Sequence, residues 1–297
     1  VNSGATQGIK VPESHGKKRF WRNTAIANLA TGTTSTLPFG TLGYEWDVDA
    51  DNGFRPEGLV LMSETIDNAA PILLDNGSIF GPGRANHSLS LYKAPSGAVV
   101  FGAGTVQWAW GLDSNHDRGS NAADLSMQQA TVNLFADLNV QPGTIQVNLL
   151  PASPSSDNVR PTSAITSPIA GAAIAPNSSF TVSGTASDVG GVVGSVEISI
   201  NGAAWRPVAG LENWTATFTA PATNGPLTIR TRAIDDSLNM EIPGSGITVS
   251  VGTGADITPP SVPQNFLFTI VSGTQVNLDW SDSTDNSAVT TYQVERC

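Results

Sequence analysis

Cysteine is nearly absent: Cys297, the final residue, is the single one in 297. No intrachain disulfide can form, and no Cys pair exists to hold zinc or an iron–sulfur cluster. Charge is also scarce, at 13% of residues, and basic charge is scarcest, with 14 Lys and Arg against 25 Asp and Glu. The net charge of −11 runs against the clustered cations that nucleic-acid phosphates demand, so no nucleic-acid partner is expected. No apolar run approaches the ~18 residues of a membrane span. Histidine is limited to three residues and no G-x-S-x-G segment occurs, which removes nucleophile-elbow Ser-His-Asp chemistry. The glycine pair in Phe101–Thr105 lacks both the lysine of a phosphate loop and the third glycine of a dinucleotide fingerprint.

What is present is Gly, Ser, Thr and Asn in the loops and short apolar segments between them, a profile of extracellular β-rich modules. At this length two or three domains with real cores are expected. The chain starts at Val1 rather than Met, which suggests an internal fragment of a longer exported polypeptide. The rest of that parent chain would then be its first partner, and a cell-surface polysaccharide or protein a second.

The organising stretch is Ala85–Asn139. Leu89 and Leu91, then Ala98–Phe101 beyond the Pro95-Ser96-Gly97 turn, predict two strands. Asp113–Asn121 is a carboxylate-rich loop. Ala122–Leu138 predicts a core helix, capped by Ser120 or Asn121, with Leu134 and Phe135 buried against the strand around Val99–Thr105. Strand followed by helix suggests an α/β layer with chemistry in the loops. Upstream, Leu42, Tyr44 and Trp46 alternate with polar or small residues, as in a half-buried strand, and Gly58–Ile66 predicts another. The cluster Lys17–Thr24, KKRFWRNT, offers Arg19, Trp21 and Arg22 for an anion or sugar. The competing reading packs Phe20 and Trp21 against the sheet with the cations solvated.

Residues 151–164 have the Pro- and Ser-rich composition of a linker. After them, close alternating segments separated by Gly, Asn and Pro predict a β-sandwich over 165–252. A second linker, 253–260, leads to a further β segment, 261–297.

Three acidic groups have the oxygen chemistry of a calcium site. Asp113, Asn115 and Asp117 stand in D-x-N-x-D spacing with Asp124 eleven positions after Asp113; alternating ligands of this kind turn several oxygens inward for Ca²⁺. Gly119 falls one place later than in a helix–loop–helix calcium loop, and the competing reading is a solvated loop whose acids favour the helix N-terminus. Asp47, Asp49, Asp51 and Asn52 form a weaker version. In the sandwich, Asp188, Asp235 and Asp236 could share an inter-loop ion, although Asp is also a common turn former. Candidate acid–base residues are Glu45, Asp47, Arg84, His87 and His116, with a purely structural histidine as the competing reading of His87.

Three resemblances follow. SGTASD (Ser183–Asp188), VEISINGAAWRPV (Val196–Val208) and RAIDDSLN (Arg232–Asn239) resemble bacterial immunoglobulin-like domains. The stretch from Ser261, with Trp280 and Tyr292, resembles the first half of a fibronectin type III domain. KRFWRNT, GTLGYEWDVDADNGFRP, SLYKAPSGAVVFGAGTVQWAWGLDSNHD and MQQATVNLFADL, across residues 17–140, resemble the carboxyl-terminal region of the N,N-dimethylformamidase large-subunit family.

The last resemblance implies a partial glutamine-amidotransferase-like α/β domain over 1–150 and all-β sandwich domains after it. It also implies metal-dependent hydrolysis of an amide C–N bond at an iron held by two tyrosines and a glutamate. Glu45, with His87, is then the candidate catalytic residue, iron requires ligands from an upstream half, and the sandwiches are spacers. The alternative is a non-catalytic surface, adhesion or carbohydrate-binding protein built on a degenerate hydrolase fold.

Overall fold

The computed structural model describes residues 7–50, 52–75, 77–117, 122–252, 259–285 and 289–295. They divide into two compact units, one of Val1–Ile169, Thr181–Phe218 and Thr228–Ile247, the other of Ala170–Phe180, Thr219–Leu227 and Thr248–Cys297.

The amino-terminal part of the first unit is built from short antiparallel pieces. β1 (Lys10–Pro12) leads into a single helical turn, α1 (Glu13–Gly16), and pairs with β2 (Thr34–Thr36). β3 (Val60–Leu61) begins a second sheet. β4 (Thr65–Leu73) and β5 (Phe80–His87) form a hairpin, and β6 (Ser90–Lys93) and β7 (Val99–Gly102) complete the order β3-β6-β7. The turn at Pro95-Ser96-Gly97 joins β6 to β7, with Gly97 at φ 88°, a conformation glycine adopts without Cβ strain. The α/β layer expected from the sequence is not what these residues form: their strands pair antiparallel in small sheets, beside one long helix.

That helix, α2, runs over Leu125–Asp137, three residues inside the predicted start. Asp124 is the cap, its carboxylate accepting from the Met127 N–H at 2.9 Å; Ser120 and Asn121, the predicted caps, lie outside the described residues. Asp124→Ala should therefore cost about 1 kcal/mol, within the ~0.5–2 kcal/mol range for a lost cap, read as a shift in urea midpoint. Leu134 is buried with Met127 and Ala130, whereas Phe135 is 45% exposed, against the prediction. The inward stripe is completed by polar residues instead. Asn133, fully buried, donates to the carbonyls of Phe20 and Arg22, and Gln129 donates to Leu150 O and accepts from Leu150 N.

The helix packs chiefly on the 3₁₀ turn Arg19–Trp21. Phe20 and Trp21 are buried there, and the Trp21 indole N–H donates to Met62 O at 2.8 Å. Arg19 and Arg22 both grip Asp137, which offsets an acid placed at the negative end of the helix dipole. Lys18 is buried as well, donating to Leu61 O, and burial pulls its pKa down to about 7.

Sandwich strands follow along the chain. β8 (Thr162–Ser167) lies partly within the stretch with linker composition. β9 (Ala173–Ile174) is followed by β10 (Ser179–Ser187), β11 (Val193–Ile200), β12 (Arg206–Pro207), β13 (Ala209–Gly210), β14 (Asn213–Thr219), β15 (Gly225–Asp235) and β16 (Ile247–Val251). One sheet has the order β13-β14-β10-β8. Gly184 of β10 has no alternative residue, because a Cβ would stand 2.1 Å from Ala164 O and 2.2 Å from the buried Trp214 ring. In the other sheet β11 lies between β12 and β15, with Glu197 opposite Arg232.

A sandwich strand should bury alternate residues, yet β11 is buried at Val196, Glu197, Ile198 and Ser199 in succession, and β15 from Thr231 to Asp235. Its second face is covered by the amino-terminal domain. Ile234 belongs to the same core as Trp21, Val60, Met62 and Leu134, with Leu238 and Met240 packed against it. A Cβ on Gly194 would lie 2.9 Å from Val60 Cγ1 and 2.7 Å from Asp235 O. The sandwich is thus joined to the first domain by shared core, not strung after it.

In the second unit β16 pairs parallel with β9. β17 (Gln264–Ser272) and β18 (Gln275–Ser281) form an antiparallel hairpin, and Trp280 sits between Phe266 and Tyr292 at ring distances of 6.4 and 5.3 Å.

Candidate functional site: an acidic groove and a carboxylate cluster

The segment predicted as a strand around Tyr44 makes isolated bridges instead, Gln7 to Leu42 and Trp46 to Thr105. Leu42 and Trp46 are buried and Glu45 is exposed, so side chains still alternate without a continuous ladder. Asp47 N–H donates to Gly104 O and Val106 N–H to Glu45 O. This stitching opens a groove of about 540 Å³, lined by Glu45, Trp46, Asp47, Leu73, Phe80 and Val106 among others. Gly104, at φ 59°, forms part of its floor, and a Cβ there would reach 3.2 Å from His87 Nε2.

His87 is fully buried beneath that floor and is not among the lining residues. Its Nε2 lies 2.9 Å from Ala103 O, its ring meets Trp46 edge-on, and its Nδ1 has no partner. Burial holds the imidazole pKa below its usual value, opposed by the Ala103 contact and the Asp47 charge. The structure therefore brings Glu45 and Asp47 to one groove and keeps the His87 ring out of it.

The D-x-N-x-D loop is split in role. Asp113 is exposed and accepts from Asn115 N–H, closing an Asx turn. His116 stacks on Trp110 at 4.3 Å. Asp124 caps α2, while Gly119 lies outside the described residues. In the other acidic loop Asp49 is paired with Arg55, and Asp51 lies outside the described residues.

A different set of acids converges. Asp157, Asp188 and Asp235 each bring a carboxylate oxygen within 4.8 Å of the others. Asp188 and Asp235 stand out in the sequence because they end strands; Asp157 is missed because its neighbours have linker composition. Asp235 is raised to about 6, by burial first and by the Asp188 charge, against hydrogen bonds from Asn239 and Ser237. Asp236, the third sandwich acid singled out in the sequence, turns instead to the Arg19 N–H at 2.6 Å.

Comparison with known proteins follows the same division. Residues 1–121 match the family described as N,N-dimethylformamidase beta subunit-like, C-terminal, and residues 161–231 match the bacterial Ig domain family. Among solved structures, the Clostridium thermocellum CbhA fibronectin(III)-like modules are similar at 20% identity, covering 30% of this chain and 93% of that one, with a TM-score of 0.24. No curated protein matches the chain. It is a multidomain, β-rich protein with an N,N-dimethylformamidase-like segment and β-sandwich modules, and no helix among its described residues is long and apolar enough to cross a membrane.

Proposed function

We propose that this chain serves amide C–N hydrolysis of the N,N-dimethylformamidase type, outside the cell, as the part that carries a substrate-side groove and braces it on a sandwich. The supporting observation is the groove itself: it lies within the residues matched to that family and is rimmed by Glu45 and Asp47 over an apolar wall of Leu73, Phe80 and Val106. Such a wall accommodates the N-alkyl groups of a small amide, and an exposed carboxylate can orient or exchange a proton with the departing amine.

An iron held by two tyrosines and a glutamate does not fit the residues described. Tyr44 and Glu45 are consecutive, so they cannot readily face one ion. Tyr92 sits on β6, where its neighbour Leu91 takes the buried face. Among the described residues of the first domain, no three His, Cys, Asp or Glu side chains converge. The chain's own contribution is thus binding and orientation.

The test pairs turnover with binding. Incubated with iron and N,N-dimethylformamide, the protein should show no amine release, while the amide should quench Trp46 fluorescence saturably, and Glu45→Gln should weaken that quenching several-fold. Amine release by the chain alone overturns the scaffolding role; absence of any amide-dependent quenching overturns the groove. A second reading, a non-catalytic carbohydrate-binding surface protein, draws on the exposed Phe54, since an aromatic face of this kind stacks on sugars. Retention on polysaccharide without amide-dependent quenching would favour it.

A further inference from the structure

Three carboxylates gathered within 4.8 Å repel one another unless something positive sits between them. Elsewhere individual acids are paired, Asp49 with Arg55 and Asp137 with Arg19 and Arg22. Among the described residues, Asp157, Asp188 and Asp235 have no such cation. Two carboxylate groups are also short of donors. Both Asp188 oxygens are buried with under 1 Å² exposed each and accept no hydrogen bond, and Asp157 Oδ2 is in the same state. Asp235 is fully buried, with Oδ1 accepting from the Ser237 and Asn239 N–H groups and Oδ2 from Asn239 Nδ2. A buried, unpaired carboxylate is costly, and one with no protein partner calls for water, a proton or a cation.

Two of these carboxylates crowd one turn together with Asp236. Measured from the Cβ position of Gly191, Asp236 Oδ1 is 2.6 Å away, Asp188 Oδ2 3.0 Å and Asp157 Oδ2 3.4 Å; Gly190 beside it is at φ 116°, with Asp157 Oδ1 and Oδ2 at 3.3 and 3.4 Å from its own Cβ position. The Gly190-Gly191 turn is thus shaped to let carboxylates approach where any side chain would block them. Asp236 contributes charge to this wall but spends Oδ2 on Arg19 N–H, and its Oδ1 faces Val192 N–H.

We propose that Asp157, Asp188 and Asp235 bind one divalent cation, and that the cation is calcium. The donor set is all oxygen, with no His or Cys in the cluster, which disfavours zinc and the softer metals. The ligands come from three separate places, the segment before β8, the turn after β10 and the end of β15, a flexible arrangement that suits the variable geometry of Ca²⁺ better than the rigid octahedron of Mg²⁺. Asp157 and Asp188 are only half-buried as residues, so an ion has a route in from solvent. Bound calcium would staple the 151–161 segment to the sandwich, where Asn239 Nδ2 already donates to Asp157 O and Ser155 pairs with Ser237.

The experiment is thermal unfolding of the whole chain after chelation, titrated with CaCl₂ or MgCl₂, beside Asp188→Asn, Asp157→Asn and Asp113→Asn. Wild type should gain thermal stability saturably with calcium, with half-saturation at about 10⁻⁴–10⁻³ M as in extracellular calcium modules, and gain less from magnesium. Asp188→Asn removes one of the repelling charges, so it should melt at least as high as wild type in chelator and lose the calcium response. Asp157→Asn should lose most of the response, and Asp113→Asn should keep it. No calcium-dependent shift in wild type, or a full response in Asp188→Asn, overturns the proposal. Loss of the response in Asp113→Asn with its retention in the other two variants would move the ion to the D-x-N-x-D loop and overturn it equally.

Discussion

Arg232→Met is expected to destabilise the protein by about 3–5 kcal/mol, the range for breaking a buried ion pair by removing one partner. Arg232 and Glu197 face each other across β11 and β15 at 5% and 1% exposure, with Nη2 to Oε2 at 2.6 Å and Nε to Oε2 at 2.8 Å. The same guanidinium donates to Glu57 of the first domain and lies 4.3 Å from the Trp205 ring centroid, while Glu197 Oε1 accepts from the Gly58 N–H. Removing the cation leaves a carboxylate buried with one backbone donor for compensation. The double variant Arg232→Met/Glu197→Leu should recover part of the loss, since an apolar pair often replaces a buried ion pair at little cost. Recovery should be incomplete because the Gly58 N–H then loses its acceptor. Urea unfolding at pH 7 reads both; a single variant within ~0.5 kcal/mol of wild type would show that the pair carries no structural weight.

Trp21→Ala should have a comparable effect, about 3–5 kcal/mol. The ring is fully buried at the centre of the shared core, meets Phe20 edge-on at 4.9 Å and bonds Met62 O. Trp21→Phe separates the two contributions. It keeps most of the packing and leaves the Met62 carbonyl unpaired, for a loss of about 1–3 kcal/mol. If both variants unfolded at the wild-type urea midpoint, the aromatic cluster at residues 20–21 would have to lie outside the core.

The particular residues show what a linear reading can and cannot reach. α2 was legible because Met127, Ala130 and Leu134 repeat at helical spacing, and its end because Asn139 and the Pro142-Gly143 pair stop a helix. Its orientation was not. Counting apolar residues placed Phe135 inward, whereas Gln129 and Asn133 occupy that side because backbone carbonyls at 20, 22 and 150 need donors there. A buried polar side chain that serves distant backbone leaves no periodic signal.

The alternation at Leu42 and Trp46 correctly reported which side chains face the core, but facing is a property of one segment and pairing is a property of two. The groove residue Glu45 was legible as an exposed neighbour of buried aromatics. Burial of His87 was visible only as one of two readings, because Trp46 and Gly104 cover it from distant positions. Asp157 was hidden for the opposite reason: Pro and Ser around it describe an unstructured connector, and only the fold brings it to Asp188 and Asp235. The joint between the domains left no trace in β15, whose Leu227, Ile229 and Ala233 alternate with Thr and Arg as in a sandwich strand with one solvated face.

Ile234 in the core of the amino-terminal domain also has a consequence for how the chain is made. Synthesis proceeds from the amino end, and Leu134, the last residue of that core before the sandwich, precedes Ile234 by a hundred positions. At about 5–20 residues per second, the ribosome releases the closing piece roughly 5–20 s after the rest of the core is available. During the first part of that interval Val60 lacks the cover it takes beside Gly194, and the Gly58 N–H lacks the Glu197 carboxylate. The first domain must therefore wait, partly open, for a strand that belongs to its neighbour, and the nascent chain is most vulnerable to chaperone capture or aggregation in that window.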